Sequence, residues 1–301
     1  MFIVKKGAAR IGKNKMSTES NKKFNPLDHP VCLDFPLWLE ETAWGEHIPF
    51  AMYLVSALRP RILVELGAYR GVSYCAFCQA VKSLKTETKC YAVDTWKGDE
   101  HAGILEEGVL AKLRGHHDPL YAVFSRLVQS TFDDAREHFA DTSIDLLHID
   151  GFHTYEAVKH DFETWLTKMS ENGIILFHDI NVRERGFGVW KFWSELTEKY
   201  KHFTFLHGHG LGVLAVGDEI PGALHNLFAA DEKETVLIRD FFHQYGARIA
   251  AIREFHAQKE YIAYLKTHEI IVKKSRLMRA YRVLKYEGIG SFLKKAKDPK
   301  K

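Results

Sequence analysis

Residues 61–73, Arg61-Ile-Leu-Val-Glu65-Leu-Gly67-Ala-Tyr-Arg70-Gly71-Val-Ser73, leave few folds open to this chain. An apolar, partly β-branched run passes into an acid and a glycine, a second glycine follows four positions later, and helix-forming sequence begins at once. That order predicts a buried strand, a tight turn and a helix start. Glycine at 67 and 71 permits positive φ and close approach of a ligand, while the first amides of the following helix have no intrahelical acceptor. The turn is therefore a candidate ligand site. A pyrophosphate fingerprint would read Gly-x-Gly-x-x-Gly and a phosphate loop would end in Gly-Lys-Ser/Thr; here the spacing is Glu-x-Gly-x-x-x-Gly. An acid at the end of the strand suits a cationic or hydroxyl-bearing ligand.

The segments that follow alternate between strand and helix patterns. Lys89–Asp94 reads as a second strand ending in an acid, one βαβ unit beyond Gly67, so Asp94 is expected beside the glycine turn, where it can accept hydrogen bonds from ribose hydroxyls. Ser125–Ser130 reads as a third strand, with Thr131 to Asp134 opening a helix. Ser143–Asp150 and Gly173–Asp179 read as the fourth and fifth, separated by Gly151-Phe-His153-Thr-Tyr-Glu156 and a helix to about Lys168. Gly186–Tyr200 predicts another helix, and His202–His207 with Leu211–Val216 an antiparallel hairpin. Before the first strand, apolar residues between Asp34 and Leu58 predict one or two helices. Thr95–Gly103 reads as a polar loop in which Trp96 either stacks on a ligand base or anchors the loop. His116-His117-Asp118-Pro119 reads as a polar loop before the third strand.

With 301 residues and 46% hydrophobic content, the chain can bury one large core with an appendage. No apolar run is long enough to span a bilayer and Met1-Phe-Ile-Val-Lys5-Lys6 is too short for a signal peptide, so a cytoplasmic location is the expectation. Cys32, Cys75, Cys78 and Cys90 are too few and too unevenly spaced for a disulfide framework and read as core residues. Net charge is +3, but residues 1–25 hold seven Lys/Arg against one Glu and residues 271–301 hold eleven against two acids, which leaves the middle at 3 − 6 − 9 = −12. Three regions follow: a flexible basic leader over 1–25, a ligand-binding domain over 26–220, and a helical basic extension over 221–301. The apolar stripe of that extension needs a partner, whether its own domain, a second copy or an anionic membrane face. No zinc-finger, RRM or helix-turn-helix signature is present, so nucleic acid is not expected.

The glycine turn and Asp94 together resemble motif I and the second acidic position of the class I S-adenosylmethionine-dependent methyltransferases. The resemblance covers about residues 55–217. It implies an α/β, Rossmann-like sheet of seven strands in the order 3-2-1-4-5-7-6, the last strand antiparallel, with helices on both faces. It also implies that Glu65, Gly67, Gly71, Asp94, Thr95 and Trp96 hold the cofactor and that Ser130 and Phe132 flank its adenine. The runs Ile149–Glu156 and Asn172–Asp179 further resemble the O-methyltransferases related to the macrolide-sugar enzymes and those of polysaccharide pathways. By that likeness Asp150 and Asp179 match metal ligands and His153 a general base. Some of those enzymes carry two successive acids where this chain has His178-Asp179-Ile180, which makes His178 a candidate third ligand for Mg²⁺ or Mn²⁺.

The residue chemistry agrees with such a division of labour. Carboxylates suit hard divalent cations, and an imidazole suits proton removal near neutrality. Methyl transfer from a sulfonium is an in-line displacement, so the protein must chiefly align an acceptor hydroxyl and help it lose its proton. The expected reaction is O-methylation of a sugar or glycan hydroxyl, with Asp150 and His153 as catalytic residues. Two alternatives remain open: a non-catalytic cofactor-binding scaffold within a glycan-assembly complex, and an NAD-dependent dehydrogenase.

Overall fold

The computed structural model describes residues 24–297 except 100, 102, 105–107 and 218, and leaves the side chains of 99, 104, 268–277 and 280–297 undescribed. The leader expected over 1–25 lies outside the described residues but for Phe24 and Asn25.

Seven strands form one sheet: β1 (Ile62–Leu66), β2 (Lys89–Asp94), β3 (Ser125–Gln129), β4 (Ile144–Ile149), β5 (Met169–His178), β6 (Lys201–Phe205) and β7 (Leu211–Ala215). Their spatial order is 3-2-1-4-5-7-6. Strands β1 to β5 pair in parallel, and β7 runs antiparallel to both β5 and β6. Central parallel strands are covered on both faces, which is why their sequences are almost continuously apolar.

The helices divide between the faces. Helices α1 (Ile48–Leu58) and α2 (Val72–Leu84) bury Phe50, Leu54, Tyr74 and Phe77 with Leu63, Leu146, Ile174 and Leu176. On the other face α5 (Tyr155–Trp165) and α6 (Val189–Thr197) bury Phe162, Trp165, Phe192 and Trp193 against Val64, Leu147, Ile175 and Phe177. The two strand sets alternate in sequence because successive side chains point to opposite faces. Helix α3 (Val109–Tyr121) lies between β2 and β3, and the short α4 (Phe132–Arg136) follows β3. Thr131 caps α4 by accepting the Asp134 amide, and Thr154 caps α5 by accepting that of Ala157. After the short α7 (His225–Phe228), α8 (Glu232–Lys297) begins on the body, where Ile238, Phe242 and Ile249 join the first core.

Two sequence expectations are corrected. His116 to Pro119 is the last part of α3, with Pro119 inside the helix, rather than a loop. The amide that proline lacks would have reached the carbonyl of Gly115 in the final turn, where its loss costs least. His117 is buried there, its ring 2.7 Å from both Asp118 Oδ1 and Ser125 Oγ, so it holds α3 against β3. The loop after β2 contains a two-stranded ribbon, Gly98–Asp99 against Gly103–Ile104. Of the one or two helices expected between Asp34 and Leu58, one forms among the described residues, α1, preceded by three short 3₁₀ turns between Pro26 and His47.

Candidate active site

The glycine turn stands at the carboxyl edge of the sheet and is built by close packing. Gly67 has φ +89°, and a Cβ there would lie 2.1 Å from the Asp150 carbonyl oxygen at the end of β4. Gly71, at φ +76°, caps α2, and a Cβ there would strike Leu113 of α3. Both glycines are demanded by protein packing as well as by the turn. No side chain caps α2, so its first amides open toward a cavity of about 520 Å³ lined by Gly67 to Ser73, Asp94, Thr95, Thr131, Phe132, Asp150, His153, His178 and Asp179.

Asp94 fixes the shape of the turn. One carboxylate oxygen accepts the Tyr69 amide at 2.8 Å and the other the Trp96 amide at 2.6 Å. A carboxylate placed here on the cavity wall is an acceptor suited to hydroxyl groups. The Trp96 indole is buried and donates to the Tyr69 carbonyl at 2.9 Å, so it braces the turn and is not on the cavity wall. Ser130 also stands off the wall and donates its amide to the Asp94 carbonyl. Phe132, Thr95, Gly67, Gly71 and Asp94 do line the cavity.

Glu65 lies beneath the turn, fully buried and away from the cavity wall. Register pairs it with His148 on β4, also fully buried. The Trp44 indole can only donate, and it points at His148 Nε2 at 3.2 Å, so the ring is protonated at Nδ1, which donates to Glu65 Oε2 at 3.1 Å. Ser73 donates to the other Glu65 oxygen at 2.8 Å. Burial pushes the Glu65 carboxyl up in pKa against the pull of these donors. This chain ties Trp44, a cavity-lining residue, to β4, β1 and the start of α2. Sequence reading did not find it, although a lone acid in Ile-Leu-Val-Glu-Leu and a lone histidine in Ile-Asp-Leu-Leu-His-Ile are polar residues in buried strands and so require each other.

Four ionisable side chains meet on the opposite side of the cavity. His153 Nε2 is 2.9 Å from Asp179 Oδ2 and 3.4 Å from Asp150 Oδ1. His178 Nδ1 is 3.2 Å from Asp150 Oδ1 and 3.4 Å from Asp179 Oδ1. Asp179 is held at φ +60°, a costly conformation for a residue with a Cβ, which turns its carboxylate into the cluster. Burial opposes charge on both rings, yet the facing carboxylates outweigh it, raising His153 to about 10 and His178 to about 9. Burial likewise opposes charge on the acids, but the imidazoles, His178 foremost, hold Asp150 and Asp179 well below the usual carboxylate range.

The hairpin turn between β6 and β7 completes the arrangement. The Gly208 carbonyl accepts Nε2–H of His178 at 2.9 Å and of the buried His47 at 3.0 Å, and His209 Nδ1 lies 3.1 Å from Asp179 Oδ1. Above His153, Phe187 stacks on its ring at 4.6 Å, and His101 stacks on Phe187 at 4.5 Å. These residues come from three loops far apart in sequence, and nothing local marks them.

The donor set suits a divalent cation. One atom each from Asp150, His153 and Asp179 falls within 4.8 Å of the others, and the buried Asp179 carboxylate beside the half-buried Asp150 favours positive charge between them, whether from the two imidazolium rings or from a cation. His178 Nδ1 faces the same two acids, with its other nitrogen fixed by a backbone carbonyl, as an oriented metal-binding imidazole would be. The four residues expected from the sequence are thus brought together, with His153 inside the three-ligand set.

Residues 64–180 match the model of a family described as a methyltransferase domain. Uncharacterized protein y4gI of Sinorhizobium fredii (strain NBRC 101917 / NGR234) is 48% identical over 199 residues, 66% of this chain; the chain spans 21% of that protein's length. Among solved structures, the S-adenosylhomocysteine-bound methyltransferase PaMTH1 of Podospora anserina is 16% identical, with a TM-score of 0.43 over 56% of this chain and 77% of that one. A methyltransferase from Geobacter sulfurreducens is also 16% identical, with a TM-score of 0.42 over 59% of this chain and 80% of that one. Likenesses this distant carry no argument about chemistry.

Proposed function

We propose that this chain binds S-adenosylmethionine at the glycine turn and transfers its methyl group to a hydroxyl of a sugar or glycan, with His153 as general base. The observation that carries the reading is that one cavity holds both the Asp94-braced turn and the Asp150–His153–His178–Asp179 cluster. The uncapped start of α2 favours the carboxylate of the cofactor's amino-acid portion, and the Asp94 carboxylate on the cavity wall suits its ribose hydroxyls.

Asp150 and Asp179, with His178 as third donor, would hold a divalent cation such as Mg²⁺ or Mn²⁺, which leaves His153 as the base; when bound, the cation would supply a Lewis acid that lowers the pKa of a hydroxyl. The chain's own residues orient and deprotonate. Asp179 and Asp150 fix the His153 ring through Nε2, and Phe187 packs flat on it, so the imidazole has one orientation in the cavity. Proton removal from the acceptor needs the neutral ring. Phe152 on the cavity wall gives the acceptor side apolar surface beside these polar groups, a combination that suits a sugar ring stacked over an aromatic side chain.

Calorimetric titration with S-adenosylhomocysteine and, separately, NAD, each with and without Mg²⁺, tests the cofactor. Micromolar binding of the former alone is expected. Binding of NAD alone would replace this reading with a dehydrogenase. A screen of sugar acceptors with radiolabelled methyl donor then tests the reaction, and cofactor binding without turnover on any of them, metal included, would favour a scaffold.

A further inference from the structure

Helix α8 leaves the body after Ile249, the last of its residues to be buried in the core. Every described side chain from 254 to 267 is exposed, among them Phe255 at 54%, Ile262 at 51% and Leu265 at 46%; further on, Met278 is 56% exposed. At ~1.5 Å per residue the helix runs about 70 Å beyond Ile249. Residues 271–297 carry nine Lys/Arg and one Glu, interleaved in sequence with Leu277, Met278, Tyr281, Leu284, Phe292 and Leu293.

We propose that this distal part of α8 is a docking element for an anionic lipid surface, on which it lies without crossing. Two properties must be met together. The excess of nine bases over one acid requires an anionic partner, and aliphatic residues exposed on the same helix require a partner with hydrocarbon to bury them. Nucleic acid meets the first requirement only. Pairing with a second copy meets the second but juxtaposes two strongly basic segments, and Lys259 and Glu269 interrupt the apolar spacing that a helix-pairing seam would need. No helix is long and apolar enough to cross a membrane among the described residues, so the helix would lie in the interface. The length has a physical use. Residues 26–270 carry a net −12 and are repelled by the surface that attracts the tail, and a spacer of tens of ångströms exceeds the screening length of about 8 Å at physiological salt.

Cosedimentation of the full chain with phosphatidylcholine vesicles, and with vesicles containing about one third phosphatidylglycerol, tests this. Binding is expected to the anionic vesicles only, weakening at least tenfold between low and high salt. Replacing three bases, Lys273→Gln with Lys274→Gln and Arg276→Gln, is expected to lower partitioning by on the order of a hundredfold. Phe255→Ser with Ile262→Ser, which lies outside the folded body, is expected to weaken it while S-adenosylhomocysteine binding is unchanged. Equal binding to both vesicle types, or no binding, would overturn the proposal. A concentration-dependent dimer in sedimentation equilibrium that Phe255→Ser abolishes would assign the face to a second copy, and tight binding of mixed-sequence RNA without vesicle binding would assign it to nucleic acid.

Discussion

The residues around the cavity fall into those that face a ligand and those that hold them in place, and substitutions separate the two. Asp150 touches His153 and His178 but supports the glycine turn through its backbone, so Asp150→Ala is expected to lower turnover by roughly 10²–10⁴-fold with S-adenosylhomocysteine affinity within a factor of a few. Undiminished methylation by that variant would remove Asp150 from the site. His148 should behave in the opposite manner. His148→Ala strands the Trp44 indole and the Glu65 carboxylate in a fully buried place, which costs roughly 3 kcal/mol in urea unfolding, and Trp44, once released, lets cofactor affinity fall as well. A change below about 1 kcal/mol would mean that the network carries little of the strain assigned to it.

At the scale of elements, the site depends on where two chain reversals place their atoms. The turn after β1 is shaped by Gly67, whose Cα packs against the end of β4, and Gly67→Ala must push β4 away or distort the turn. The expected result is a loss of roughly 2 kcal/mol or more in stability and of measurable cofactor binding; normal calorimetric affinity in that variant would show that the turn has slack. The hairpin between β6 and β7 was legible as a hairpin, yet its sequence says nothing of Gly208 accepting from His178 and His47, because that contact joins elements 30 and 161 positions apart. Helix α3 shows the reverse failure. Asp118-Pro119 has the composition of a loop, and only the packing of His117 and Tyr121 into the core keeps that segment helical.

For the molecule as a whole, the buried acid–imidazole cluster couples stability to pH. His153 and His178 have folded-state pKa values raised above the unfolded value near 6.5, to about 10 and about 9, so their contribution is complete below pH 6.5 and is lost as pH rises through those values. Asp150 and Asp179 are depressed, so theirs is present above about pH 4 and is lost on acidification. The metal-free protein is accordingly expected to have its highest Tm between about pH 4 and 6.5 and to lose stability steadily toward pH 10. Asp179→Asn should flatten the alkaline limb, since one of the two carboxylates that raise the imidazoles is gone; an unchanged Tm profile would mean that the four groups are not coupled in solution.

The amino-acid sequence by itself determined the seven strands and the edge of the sheet where chemistry collects, because apolar runs, glycine spacing and strand-terminal acids are local signals that parallel topology carries to one place; the strand order followed from the family resemblance of the glycine turn and Asp94. It also brought out Asp94, Asp150, His153, His178 and Asp179, each at or just after a strand end. Only the tertiary structure decided their roles relative to one another. It put Glu65 and Trp96 behind the cavity wall, gave His153 two carboxylate partners, supplied Trp44 and His101 to the cavity wall, and stacked Phe187 on the His153 ring. Those outcomes rest on contacts between residues up to 104 positions apart, whose distances and burial are set by how helices and loops pack on the sheet. Local sequence specifies the strands; their packing specifies which side chains water and ligand can reach.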